Sequence, residues 1–277
     1  ALIQPAEQIP LVIRAAVPIS EALALEAGAD LIHDDNSATW ADGRVSARRT
    51  TSLGAIELTS TPVRPTAGQA RAAVLEALRR DGLGLFEWSP AAETLRRRLG
   101  LLHRTLGAPW PAIDDATLLE RADEWLGPEL DALARGKSPA GLSLTVALKR
   151  LLPWPQAGRL DELVPERLEV PTGSLIRVDY PPVDDPDARP VLAVKLQECL
   201  GWTATPRLCD GRVPVLLHLL SPARRPLAVT DDLASFWANA YPQVRAENRG
   251  RYAKHPWPLD PLTAEPRRGT SRSGRAT

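Results

Sequence analysis

The residues most able to do chemistry in this chain are a Gly136-Lys137-Ser138 triplet, four scattered histidines, several adjacent acidic pairs and a set of clustered basic residues. Gly-Lys-Ser ends the phosphate-cradling loop G-x-x-x-x-G-K-[ST], in which backbone N–H groups and the lysine surround the phosphates. The first glycine of that loop would fall at position 131, where the sequence has Asp131, and the triplet lies between helical stretches instead of after a buried strand. The pattern predicts a helix C-cap followed by a Ser-Pro helix start. Asp123-Glu124 and Asp161-Glu162 lack the preceding apolar strand that presents metal-binding acids in nucleotide hydrolases. The expectation is therefore no catalytic residue and no nucleotide hydrolysis site in this chain.

His33, His103, His218 and His255 are far apart in sequence, and no serine stands in a nucleophile elbow. His218, inside an apolar run, reads as a core residue, and Asp34-Asp35 and Asp184-Asp185 read as turn or solvated-loop acids. Cys199 and Cys209 are ten apart with no neighbouring ligands at metal-finger spacing, which predicts two ordinary thiols and no metal.

The basic residues point to phosphate. Arg48-Arg49 follow an Asp42-Gly43 hairpin signal, so one arginine should point from each face of the strand, with Trp40 nearby as a stacking surface. Arg224-Arg225 occupy a turn. In the stretch from Arg249 to Pro261, Pro256 and Pro258 hold His255 and Trp257 extended. That predicts a stiff strap which buries Trp257 and displays Arg251 and Lys254. These seven residues (Trp40, Arg48, Arg49, Arg224, Arg225, Arg251 and Lys254) are the candidate nucleic-acid contacts. The alternative is surface arginines paired with abundant Asp and Glu.

Overall charge is balanced, 34 basic against 34 acidic residues, but from residue 241 to 277 there are eight basic and three acidic, a net of +5. A phosphate-seeking surface should thus be local. Only Lys137, Lys149, Lys195 and Lys254 are lysines; the arginine excess suits planar phosphate recognition or reflects a GC-rich genome. There is no methionine and the first residue is Ala1, which point to the C-terminal part of a longer polypeptide. No apolar run approaches the roughly 20 residues that span a bilayer, and no signal peptide is visible, so a cytoplasmic protein is expected.

The elements that must position these residues fall into an α+β arrangement. Residues 1–65 read as a partial OB-like β unit, with a strand over 9–19, a short helix in "SEALALEAG" and the Asp42-Gly43 hairpin. Residues 66–150 read as a helical region: Thr66 is an N-cap with Gly82 at that helix's end, and Ser89, Pro90 and Glu93 start the next. Residues 151–266 read as a C-terminal α+β domain. In it "ERLEVPTGSLIRVDY" is a hairpin, "VLAVKLQECLG" a short helix capped by Gly201, and "VPVLLHLLSPARRPLAVT" two strands. A helix follows from Thr230 or Asp231 to Gly250, kinked or divided by Pro242, and 267–277 read as a disordered basic tail.

Taken whole, "VPVLLHLLSPARRPLAVTDDLASFWANAYPQVRAENRGRYAKHPWPLDPLTAEPRR" resembles the C-terminal end of bacterial HrpB-type DEAH-box ATP-dependent helicases. "LLPWPQAGRLDELVPERLEVPTGSLIRVDY", "PVLAVKLQECLGWTATPRLCDGRVPV" and, more loosely, "LFEWSPAAETLRRRLGLLHR" and "RRTTSLGAIEL" are similar too, so the resemblance covers nearly the whole chain. In that family two RecA-like motor domains carry the P-loop and DEAH motifs, which are missing here. The resemblance implies an accessory region that contributes nucleic-acid binding and scaffolding to a motor, with single-stranded RNA or DNA and the motor domains as partners. ATP and magnesium then belong to the motor, and no cofactor is expected in this chain. The competing expectation is a structural or protein-interaction module without specific nucleic-acid binding.

Overall fold

The computed structural model describes residues 17–269. It has an α+β architecture in two compact units, one ending at Ala77 and taking in Leu133–Lys137, the other comprising Leu78–Ala132 and the residues from Ser138 onward.

The first unit begins with α1 (Glu21–Ala27), capped by the Ser20 hydroxyl, which accepts from the Leu23 N–H. A Cβ at Gly28 would stand 2.6 Å from a Leu53 methyl, so glycine allows the helix end to sit against the sheet. The sheet is an antiparallel meander of β1 (Ile32–Ala41), β2 (Arg44–Leu53) and β3 (Ile56–Val63). Asp42 and Gly43 take φ of 53° and 75°, as the tight turn requires. Among the described residues this is an open three-stranded sheet and not a closed barrel. The strand expected over 9–19 falls mostly outside the described residues, and 17–19 are not strand. Next, α2 (Ala67–Asp81) starts at a reciprocal cap: Gln69 N–H donates to the Thr66 hydroxyl and Thr66 N–H to Gln69 Oε1.

In the second unit α3 (Pro90–Leu106) has Ser89 as N-cap and buries Ala92, Leu95, Leu99 and Leu102 at helical spacing. With it come α4 (Asp115–Glu120), α5 (Ala122–Ala134), α6 (Leu144–Lys149) and the single turn α7 (Leu160–Leu163). Trp125 is fully buried, its indole N–H donating to the Leu118 carbonyl, and Arg150 clasps Glu129 with two hydrogen bonds. The hairpin β4 (Arg167–Glu169) and β5 (Leu175–Arg177) turns at Gly173, with φ of 73°.

The chain from 191 to 195 is the strand β6 (Val191–Lys195), followed by a 3-10 turn, where the sequence predicts a helix. Its apolar run fits either periodicity. Parallel pairing with β9 (Leu216–Leu220), which sets Leu192 and Val194 beside buried Leu217 and Leu219, decides for strand. Between them lies the small pair β7 (Arg207–Leu208) and β8 (Val213–Pro214), and β10 (Pro226–Thr230) completes the sheet in the order β10-β9-β6. After it Asp232, not Thr230 or Asp231, caps α8 (Leu233–Ser235), because its carboxylate accepts from Ser235 N–H. A π turn over Phe236–Ala240 then resets the helix so that Pro242 lies in the first turn of α9 (Tyr241–Asn248), where a missing N–H costs nothing.

One side chain ties the helices to the C-terminal part. Arg98 on α3 is 2% exposed; its Nε donates to the Val164 carbonyl at 2.6 Å, and its guanidinium pairs with Asp161 and, at 3.3 Å, with Glu166. Arg98→Met would keep the apolar stem but leave a buried carbonyl unpaired, a cost of about 2 kcal/mol. Urea unfolding should show that loss as a lower midpoint at unchanged m-value; an unchanged midpoint would show that the bond to Val164 is dispensable.

Candidate nucleic-acid interface

Arg48 and Arg49 are successive residues of β2 and leave the strand on opposite faces, as alternation requires. Each is already engaged. Arg48 Nε donates to the Ser60 hydroxyl at 2.7 Å and Nη2 to the Ser60 carbonyl at 3.0 Å. Arg49 pairs with Asp34 at 2.9 Å, and hydrogen bonds from Thr51 and Arg49 hold that carboxyl below its ordinary range. Both arginines remain exposed and keep donors for a second partner. Trp40 does not match the expectation of a stacking surface: at 7% exposed it presents no open ring face. Trp40 and Ala47 lie on the same side of the sheet and are both buried.

Arg224 and Arg225 sit in the β9–β10 turn. The turn is tight because Ser221, fully buried, accepts from Arg225 N–H through its hydroxyl and from Arg224 N–H through its carbonyl, with Arg224 at φ 60°. Both side chains project into solvent, and among the described residues neither has a carboxylate within ion-pair distance.

The strap forms as its prolines suggest. Trp257 is 9% exposed and its indole N–H donates to the Tyr252 carbonyl. Arg245 of α9 donates to the Trp257 carbonyl at 2.8 Å, and the Tyr241 hydroxyl to the Pro258 carbonyl at 2.9 Å. Burial pushes the Tyr241 phenol up to about 12, so it stays a donor at neutral pH. Gly201 N–H then donates to the Pro261 carbonyl, fixing the far end. Arg249, Arg251 and Lys254 stay exposed on this anchored segment, without ion pairs among the described residues. Arg267 and Arg268, the first two residues of the tail expected over 267–277, are bonded to the fold: Arg267 N–H donates to the Gln197 carbonyl and Arg268 to the Thr172 carbonyl. Residues 270–277 lie outside the described residues.

Thus Arg224, Arg225, Arg251 and Lys254 belong to one unit, and Trp40, Arg48 and Arg49 to the other. Sequence reasoning missed Arg167 and Arg177, which stand opposite each other in the β4–β5 hairpin. Counting outward from Gly173 along the alternating stretch could have found them. Elsewhere His33 bonds Ser52, and His103 bonds the Trp110 carbonyl. Among the described residues no cluster of His, Cys, Asp or Glu could hold a metal ion. Cys199 and Cys209 are buried free thiols, and burial pushes both above the usual thiol range, Cys209 to about 11. At pH 8 a thiol-reactive dye should therefore label the native chain slowly and two thiols rapidly after unfolding; fast native labelling would contradict this burial. Trp257→Ala should cost about 3 kcal/mol in urea unfolding and speed hydrogen exchange over 241–258 ahead of the rest of its unit. Exchange unchanged there would mean that the strap is not held by its tryptophan.

Comparison with known proteins agrees with this architecture. A family model described as ATP-dependent helicase C-terminal, HrpB_C, matches residues 125–261. The chain is 38% identical over 246 residues to the ATP-dependent RNA helicase HrpB of Escherichia coli K12, covering 87% of this chain and 30% of that protein. The crystal structure of the E. coli DExH-box NTPase HrpB superposes with a TM-score of 0.70 at 36% identity, over 90% of this chain and 31% of that one. A second crystal structure, of the E. coli DEAH/RHA helicase HrpB, gives 0.60 at 36% identity over 82% of this chain and 29% of that one. The chain thus spans less than a third of the length of the relatives it matches, and no helix among the described residues is long and apolar enough to cross a membrane. By its sequence match, its fold and the region matched, the chain belongs to the HrpB family of ATP-dependent helicases, within their C-terminal part.

Proposed function

We propose that this chain is the accessory C-terminal region of a cytoplasmic ATP-dependent DEAH-box helicase, binding single-stranded nucleic acid and scaffolding the motor domains. The observation that carries the binding half is a set of exposed cations left without carboxylates in a chain of zero net charge. Arg96, Arg97, Arg98, Arg121, Arg150, Arg159 and Arg189 all hold ion pairs, whereas among the described residues Arg224, Arg225, Arg249, Arg251 and Lys254 hold none. Unpaired cations on folded turns meet phosphates without first breaking an internal bond. Arg48 and Arg49 add contacts from the β unit through their remaining donors.

In this reading the cations of each unit meet the strand by themselves, and ATP and magnesium act on the motor. The E. coli relative is named an RNA helicase, which favours RNA over DNA. The scaffolding half rests on the first unit, where Leu31, Ile32, Ile56, Leu58 and Val63 are exposed apolar side chains. Such a surface favours contact with protein.

Fluorescence anisotropy with single-stranded RNA and DNA across a salt series tests the binding half. The intact chain should bind with affinity falling steeply with salt. Replacing Arg224, Arg225, Arg251 and Lys254 by alanine should flatten the log–log slope by about 2 to 3, at about 0.7 for each phosphate no longer neutralised. A slope unchanged by all four substitutions would remove these residues from the interface. Absence of binding by the intact chain would leave the structural module.

A further inference from the structure

Two cavities of the second unit adjoin on α3. One, of about 230 Å³, is lined by Pro90, Ala91, Thr94, Glu166, Arg167 and Arg177. The other, of about 470 Å³, shares Ala91 and Glu166 with it and extends past Arg98, Lys149 and Leu152 to Trp154. With two wall residues in common they lie side by side, as the two halves of a candidate groove whose ends differ in chemistry.

At the first end Arg167 and Arg177 are direct partners across the β4–β5 ladder, so their side chains leave adjacent strands on the same face of the hairpin, and both line the cavity. Like charges so placed repel. Among the described residues neither arginine has a carboxylate within ion-pair distance. Arg167 reaches the Leu175 carbonyl and Arg177 the Thr94 hydroxyl, both neutral acceptors. The one acid in that cavity, Glu166, is engaged by Arg98. Two exposed arginines that share an opening, with no acid at ion-pair distance among the described residues, although Glu93 and Asp179 line the adjoining cavity with Arg177, suit an anion with several oxygens, such as a phosphodiester.

The other end has the opposite character. Arg98 there is matched by Asp161 and Glu166, so the wall offers carboxylate acceptors and little net charge for a phosphate. Trp154 lines it at 77% exposed, a large ring left in water beside Leu152 and the stem of Lys149. An open indole face next to hydrogen-bond acceptors suits a nucleobase, which stacks on one surface and donates from its amino edge. An aromatic end and an arginine end along one groove match the base and the phosphate of a nucleic-acid strand.

We infer that this groove is a binding site for single-stranded nucleic acid, with a phosphate between Arg167 and Arg177 and a base on Trp154. The inference rests on the nucleic-acid reading above but places the strand on residues outside the turn and strap cations. It uses no bond-making step: the site grips and orients the strand.

The test is anisotropy of the full chain with a fluorescein-labelled twelve-nucleotide RNA and its DNA counterpart. Arg167→Gln/Arg177→Gln should weaken binding about tenfold and lower the salt slope by about 1. Trp154→Ala should weaken it about tenfold without changing the slope, and Trp154→Phe should keep most of the affinity. All three side chains are exposed, so far-UV circular dichroism should match the parent. Ultraviolet cross-linking of the unaltered chain supplies a readout free of any substitution: the adduct should map to the peptide that contains Trp154. Normal binding by both loss variants, with cross-links elsewhere, would overturn the groove and leave the cationic turn and strap reading standing. No binding by the unaltered chain would overturn both. Equal effects with RNA and DNA would assign recognition to base and phosphate; effects confined to RNA would add the 2′-hydroxyl.

Discussion

A guanidinium taken out of water must find a full set of hydrogen-bond partners, and in this chain Arg98 does so at one place, the segment from Asp161 to Glu166. The arrangement lowers the usual penalty of a buried ion pair because both acids stay exposed while the arginine alone is buried. Other groups converge on the same segment. Tyr180 donates to the Pro165 carbonyl, with its phenol pushed up by burial, and Cys209 N–H donates to the Leu163 carbonyl. Helix α3, the β5 strand and the β7 end are thereby held to one short stretch of chain. The groove beside it inherits its shape from this clasp, since Arg98, Asp161 and Glu166 are its wall.

The distribution of charge separates scaffold from surface. Most arginines of the helical region are consumed internally, as in the Arg150 clasp on Glu129 and Trp125 or Arg96 stacked 4.9 Å over Trp88. Those interactions orient elements, and their cations do not reach a phosphate without breaking them. The turn at Arg224, the strap and the β4–β5 hairpin carry cations of another kind, fixed in place by backbone bonds and left without acids among the described residues. A neutral chain can therefore present locally positive surfaces, and the net charge alone says nothing about them.

Much of the local architecture is legible in the order of residues. Asp42-Gly43, the Thr66 and Ser89 caps and the Pro-Thr-Gly hairpin each depend on a few adjacent residues with restricted φ or a short polar side chain. The strap is legible for the same reason, since two prolines restrict it regardless of its surroundings. The family resemblance is legible over nearly the whole chain. Where sequence and structure part over Val191–Lys195, the deciding partner is remote: that segment is a strand because β9 lies beside it.

The amino-acid order by itself determined the α+β class, the caps and turns, the buried strap tryptophan and the family, because these follow from short-range sterics and from extended sequence likeness. Only the tertiary structure decided which cations are free. Arg98 finds its acids 63 and 68 residues away, Arg177 bonds Thr94 from 83 residues away, and Arg167 meets Arg177 through a strand register. Pairing of charges is a matter of distances in space, and such distances exist only once the chain has packed.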